Sequence, residues 1–251
     1  KFSRKKISEK VASQLYKNAI QNAIQVTLSN NNYLKNEFLK KDLNDRILSF
    51  DSKIKLHKDG LIDVTETIII ANFDDNTGQF NNSIKRGITR DFPTKYFNKY
   101  GLETEVLFSI NSVRKNEQLE SFFIKDLSNG KRIYCGSSTD FLPVGIYKYE
   151  LKYSTNNQLK FHNDRDEFYW NITGNGWEFS IDKSSCEIEF PIDSKLFDIN
   201  CYTVYQNEKA HNCNSIITKN SNKIYFETNQ KLLPNQGFTI SVSTNKNIFT
   251  E

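Results

Sequence analysis

The residues best equipped for chemistry lie in two stretches. DRDEFYWNITGNGW, Asp164 to Trp177, gathers the carboxylates of Asp164, Asp166 and Glu167, a run of aromatic rings, and the paired glycines Gly174 and Gly176. RGITRDFP, Arg86 to Pro93, sets Arg86 and Arg90 around a glycine and places Asp91 directly after them. Two arginines on a loop can clamp a carboxylate or phosphate through paired hydrogen bonds. Alternatively, Arg86 or Arg90 pairs internally with Asp91, Asp166 or Glu167 and locks loop to strand. The internal network is the preferred reading, and if buried it makes loss of either partner costly.

The acidic cluster invites two further chemistries. A calcium loop needs a ladder of oxygen ligands ending in a distant glutamate, which this stretch lacks. Glycoside hydrolysis needs two carboxylates facing each other across a cleft, which one local cluster does not supply. Trp170 and Trp177 read as core anchors rather than sugar-stacking platforms, since burying such rings removes much apolar area from water. Gly174 and Gly176 read as positive-φ positions in a tight turn between flanking strands. The chain holds no G-x-S-x-G, no G-x-x-x-x-G-K-[ST], no H-E-x-x-H and only three histidines, so the usual neutral-pH bases and nucleophile frames are missing. No metal or other cofactor is expected. A non-catalytic binding role is preferred. The alternatives are an envelope hydrolase using Asp164, Asp166 or Glu167 as acid and base, and a structural spacer or assembly domain.

The elements that must hold these residues are mainly β. From Arg46 onward the apolar period is two, and Lys58-Asp59-Gly60 sits between two β-rich runs as a hairpin turn. Further strands are expected at Glu105–Ile110, Lys131–Cys135, Tyr147–Tyr153, Glu167–Asn171, Trp177–Ile181, Cys186–Phe190, Lys223–Phe226 and Gly237–Val242. Their spacing without helical crossovers predicts an antiparallel β-sandwich. A repeated Leu-Pro, Gly, strand pattern suggests two stacked sandwich subdomains with a seam near 154–158. Residues 1–45 differ: Ile7, Val11, Leu15 and Ala19 recur at helical spacing behind the basic group Arg4, Lys5 and Lys6. The expected organisation is a helical N-terminal segment, 1–45, and a β domain, 46–251.

Composition narrows the partners. Lys+Arg 34 against Asp+Glu 30, interspersed along the chain, argues against nucleic acid, which usually meets a concentrated basic face. No stretch approaches the roughly 18 consecutive apolar residues of a membrane span. Starting at Lys1 without methionine suggests an excised or mature piece. Cys135, Cys186, Cys201 and Cys213 lack zinc-ribbon spacing. Cys201 and Cys213 flank a polar, turn-like segment, so a disulfide there and four reduced thiols are both open readings.

Several blocks, in order, resemble one family. RILSFDSKIKLHKDGLIDVTETI opens the series, followed by RGITRDFPTKY, GKRIYCG, FLPVGIYKYELKY, DEFYWNITGNGW and KLLPNQGFTISV. Together they resemble the N-terminal extracytoplasmic region of the domain-of-unknown-function 2207 family, bacterial predicted membrane proteins. The resemblance implies membrane anchoring through segments outside this chain and a position on the extracytoplasmic side. It also implies a disulfide between Cys201 and Cys213. On the binding reading, the expected partner is an envelope protein or cell-wall ligand. It supplies no catalytic residue and no match for Cys135, Cys186 or the helical segment.

Overall fold

The computed structural model describes residues 45–72, 84, 86–97, 101–143, 145–205, 208–217 and 221–250. The helix expected near the N-terminus lies outside them. Among the described residues every element is a strand: β1 (Arg46–Leu56), β2 (Ile62–Asn72), β3 (Ile88–Pro93), β4 (Lys95–Phe97), β5 (Glu103–Glu105), β6 (Phe108–Lys115), β7 (Gln118–Leu119), β8 (Phe122–Leu127) and β9 (Gly130–Cys135). The chain continues through β10 (Gly145–Thr155), β11 (Leu159–Phe161), β12 (Arg165–Asn171), β13 (Ser184–Glu189), β14 (Leu196–Tyr205), β15 (Glu208–Ala210), β16 (Cys213–Ile217), β17 (Lys223–Thr228) and β18 (Gly237–Asn245).

The hairpin at Asp59-Gly60 forms as its sequence dictates. Gly60 takes φ +80°, its N–H donates to the carbonyl of His57, and β1 pairs antiparallel with β2 from Leu56↔Ile62 to Arg46↔Ala71. Along β2 the period-two alternation sends Ile62, Val64, Ile68 and Ile70 inward. These two strands lie inside an eight-stranded sheet of order β16-β17-β13-β1-β2-β10-β6-β7. A five-stranded sheet runs β11-β12-β18-β14-β15, a three-stranded one β3-β9-β8, and β4 pairs with β5. Phe50 and Ile54 of β1, Ile133 of β9, Phe168 of β12 and Val242 of β18 share one buried core, to which the three larger sheets all contribute.

Three expectations change. The sheets are not uniformly antiparallel: β1 and β13 run parallel, from Phe50↔Ser184 to Lys55↔Glu189. The expected strand Trp177–Ile181 does not form, so Asp164–Trp177 does not close as a strand, a turn and a second strand. β12 instead lies between β11 and β18. Trp177 and Phe179 sink into the core, and Ile181 makes only isolated bridges to Ile47 and Leu232. Burying these two rings sets the backbone path there, and no ladder partner runs alongside it. Gly174 has φ +72°, while Gly176 lies outside the left-handed region.

Cys201 and Cys213 are joined by a disulfide. Cys201 belongs to β14 of the five-stranded sheet and Cys213 to β16 of the eight-stranded one. The bond therefore staples two sheets together. Cys135 and Cys186 are buried free thiols, and burial pushes the Cys135 thiol up to about 12. Closing a loop of separation 12 limits the unfolded chain by about 3 kcal/mol on the chain-entropy account. Replacing both Cys201 and Cys213 by serine should lower the unfolding free energy by up to about that amount, read by urea denaturation of oxidised protein. An unchanged midpoint would show that the staple is thermodynamically silent.

Candidate functional site

Most of the arginine block, Ile88 to Pro93, is strand β3, with Arg86 in the turn before it, and its two arginines part company. On β3 the inward positions are Ile88, Arg90 and Phe92, so alternation drives a guanidinium into the core. Arg90 is 6% exposed and Glu66, from the middle of β2, is 0% exposed. Arg90 Nε donates to Glu66 Oε2 at 2.9 Å, and Nη2 donates to Glu66 Oε1 at 2.8 Å and to the carbonyl of Ile172 at 2.9 Å. The Tyr153 hydroxyl donates to Glu66 Oε1 at 2.9 Å. Burial opposes the charge on Arg90, but the Glu66 carboxylate more than offsets it and holds the guanidinium's pKa raised. Burial, then the same carboxylate, holds the Tyr153 hydroxyl well above its ordinary value.

Arg86 lies elsewhere, over the ring of Phe141 at 4.9 Å. It lines a separate depression of about 590 Å³ with Phe123 and Tyr134, whose rings stack at 4.3 Å. Arg86 and Arg90 therefore do not form one clamp.

Each carboxylate has its own partner. Asp91 accepts a bidentate pair from Arg132 at 2.6 and 2.7 Å, half-exposed. Asp166, fully buried on β12, accepts from Lys246 Nζ at 3.1 Å and from the Ile248 N–H at 3.3 Å. Glu167 pairs with His162 Nε2 at 2.9 Å and accepts from Ser241 at 2.9 Å. Burial alone would raise the Glu167 pKa; those two hydrogen bonds lower it below the usual range. Asp164 meets its neighbour Arg165 on the surface. Among the described residues Arg90 pairs with Glu66 rather than with Asp91, Asp166 or Glu167, and the spacing of the acidic cluster does not point to that partner. Among the described residues no group of His, Cys, Asp and Glu is arranged to hold a metal ion.

The block and the aromatic stretch do meet. An open cleft of about 630 Å³ runs between Thr89–Pro93 of β3, Asn157–Lys160 at the start of β11, and Tyr169–Asn171 with Gly174–Trp177. Elements of all four sheets border it: β3 and β9, β4, β6 and β10, and β11 and β12. Phe92, Phe108 and Tyr153 form its aromatic cluster, with centroids 4.5, 4.8 and 5.3 Å apart. Lys160 lies over the Tyr169 ring at 4.7 Å. Trp177 is a core anchor, its Nε1–H donating to the Thr173 carbonyl at 2.8 Å and its ring edge-on to Phe50. Trp170 is half-buried on Phe168, and its buried Nε1–H has no partner among the described residues. Glu66, Tyr153, Tyr96 and Lys160 are the site residues that motif reasoning missed.

A mainly β domain with an aromatic-lined cleft and its carboxylates held in pairs is the class that the geometry defines. Residues 46–244 match the N-terminal domain of a predicted membrane protein, DUF2207, and the chain belongs to that family. It is 29% identical over 141 residues to the uncharacterized protein YciQ of Escherichia coli K12, covering 56% of this chain and 21% of that protein. Among solved structures it is similar to native leukotriene A4 hydrolase from Saccharomyces cerevisiae, at 10% identity and TM-score 0.48, covering 79% of this chain and 29% of the hydrolase. A putative protease from Parabacteroides distasonis matches at 9% identity and TM-score 0.46, covering 79% of this chain and 40% of the protease. At such identities neither chemistry nor substrate transfers. Among the described residues no helix is long and apolar enough to cross a membrane.

Breaking a buried pair strands a charge, whereas breaking a half-exposed one does not. Glu66→Gln should cost about 3–5 kcal/mol of stability, and Asp91→Asn no more than about 1 kcal/mol. Equal losses in chemical denaturation would contradict the assignment of Arg90–Glu66 as the organising pair.

Proposed function

We propose that this chain is the extracytoplasmic, non-catalytic binding domain of a membrane-anchored protein, and that the cleft between β3 and the Tyr169–Trp177 stretch is its contact surface. The carrying observation is that two sequence stretches far apart in the chain converge on one open, aromatic-walled space while Asp91, Asp166 and Glu167 are held in pairs. A general acid or base needs a carboxyl group free to exchange its proton with a substrate. An envelope protein or cell-wall ligand is the partner in this reading. The eight- and five-stranded sheets are read as the layers of a β-sandwich over 46–251, with 1–45 as a separate helical segment. Membership of a predicted membrane protein family and the Cys201–Cys213 bond support the outer side, since disulfides persist in oxidising compartments.

Arg90 is unsuitable for testing binding because its loss would unsettle the core. Tyr169, exposed at 36%, is suitable. Wild-type protein should co-sediment with purified cell envelope. Tyr169→Ala should reduce retention at least fivefold while Arg86→Ala, outside the cleft, leaves it unchanged. Retention indifferent to Tyr169→Ala would remove the cleft as the contact surface, and no retention of the wild type would overturn the binding role. Thiol mapping in intact cells checks the side of the membrane: Cys201 and Cys213 should be found joined, whereas four free thiols would contradict the outer location.

A further inference from the structure

We infer that the cleft receives a carboxylate, a single negative charge carried beside an apolar or ring surface, at the unspent edge of Arg90. This rests on the cleft being a binding surface. A guanidinium has five N–H donors. Arg90 uses three, from Nε and Nη2, on Glu66 and the Ile172 carbonyl. Its Nη1 makes no hydrogen bond among the described residues, yet the side chain is buried and lines the cleft. Gly174 keeps that edge open: a Cβ there would sit 2.7 Å from Nη1. That edge opens to the cleft, where an acceptor oxygen from a ligand would gain a charge-assisted hydrogen bond.

Charge selects the acceptor. The cleft carries Arg90, Arg132 and Lys160 against Asp91. Asp91 is engaged by Arg132, which leaves Arg90 and Lys160 to face a ligand. Glu66 already holds the other edge of the same guanidinium, so a dianion such as phosphate would meet a buried negative charge close behind the cation. A monoanion meets less of that repulsion and gains a charge-assisted hydrogen bond. Phe92, Phe108 and Tyr153, packed as one aromatic cluster beside Arg90, suit an apolar or ring portion next to the charged group. An acidic amino sugar and a free peptide C-terminus share this chemistry.

The chain's two tryptophans, Trp170 and Trp177, both line the cleft, so intrinsic fluorescence reports its occupation. The full chain is titrated with N-acetylmuramic acid against N-acetylglucosamine, and with acetyl-Ala-Ala-Phe against its C-terminal amide. Within at least one pair the acid should bind at least tenfold more tightly, and Lys160→Ala should weaken the acid several-fold while sparing the neutral partner. The pair that responds identifies the source of the carboxylate. Inorganic phosphate at matching concentration should not displace the acid. Equal affinities within both pairs, or displacement by phosphate, would overturn the inference. So would failure of every probe to bind. In that last case the envelope retention of Tyr169→Ala separates the two readings: retention still lost keeps the cleft as a binding surface, and retention unchanged removes both.

Discussion

One buried ion pair ties this molecule together. The Arg90 guanidinium, on the three-stranded sheet, grips Glu66 of the eight-stranded sheet and the Ile172 carbonyl just beyond β12 of the five-stranded one. Tyr153, from β10 of the eight-stranded sheet, completes the shell around the carboxylate. Such a pair adds little net stability compared with an apolar replacement, because both charges give up their hydration. Its effect lies in the alternatives it penalises. Any arrangement that shifts β3 against β2 strands a carboxylate and a guanidinium in apolar surroundings. The relative placement of three sheets is thus fixed by a requirement that apolar packing alone does not impose.

The cleft follows from that placement. Where four sheets meet, short strands and turns cannot all be covered by their neighbours, and the space between β3, β11 and β12 stays open. Its floor is rigid, because Arg90, Tyr153 and Phe92 are also core residues. Its lips, Tyr96 and Tyr169, are exposed. Gly174 is the hinge between these roles: its backbone takes a left-handed conformation, and its missing side chain leaves the cation room at the wall.

Much of this was legible in the residues, and what was missed had local causes. The Asp59-Gly60 hairpin, the β-rich character from Arg46 onward and the Cys201–Cys213 pairing could all be read from turn chemistry, periodicity and family likeness. The Glu66–Arg90 pair was also written there: both residues interrupt an apolar phase, Ile62-Val64-Glu66-Ile68 in β2 and Ile88-Arg90-Phe92 in β3. A charge on the inward phase of a strand calls for an opposite charge on another inward phase. The clustered carboxylates are the more conspicuous partners in sequence, but Asp166 and Glu167 serve Lys246 and His162. The strand expected at Trp177–Ile181 misled for a different reason. Alternating burial of Trp177 and Phe179 mimics a strand wherever two rings anchor an irregular segment. The parallel contact of β1 with β13 has no local signature, because parallel partners are joined only through distant chain.

The disulfide gives the molecule a mechanical character. Force applied along the chain between Arg46 and Asn245 enters through β1 of one sheet and leaves through β18 of another, so it loads the contact between them. The bond from β14 to β16 crosses between those same sheets and cannot be peeled open one hydrogen bond at a time. It also withholds a separation of 12 residues from extension, about 40 Å of slack that a stretched chain could otherwise release. A domain anchored at a membrane and held by a partner would be shorter and stiffer under tension than its backbone hydrogen bonds alone could make it.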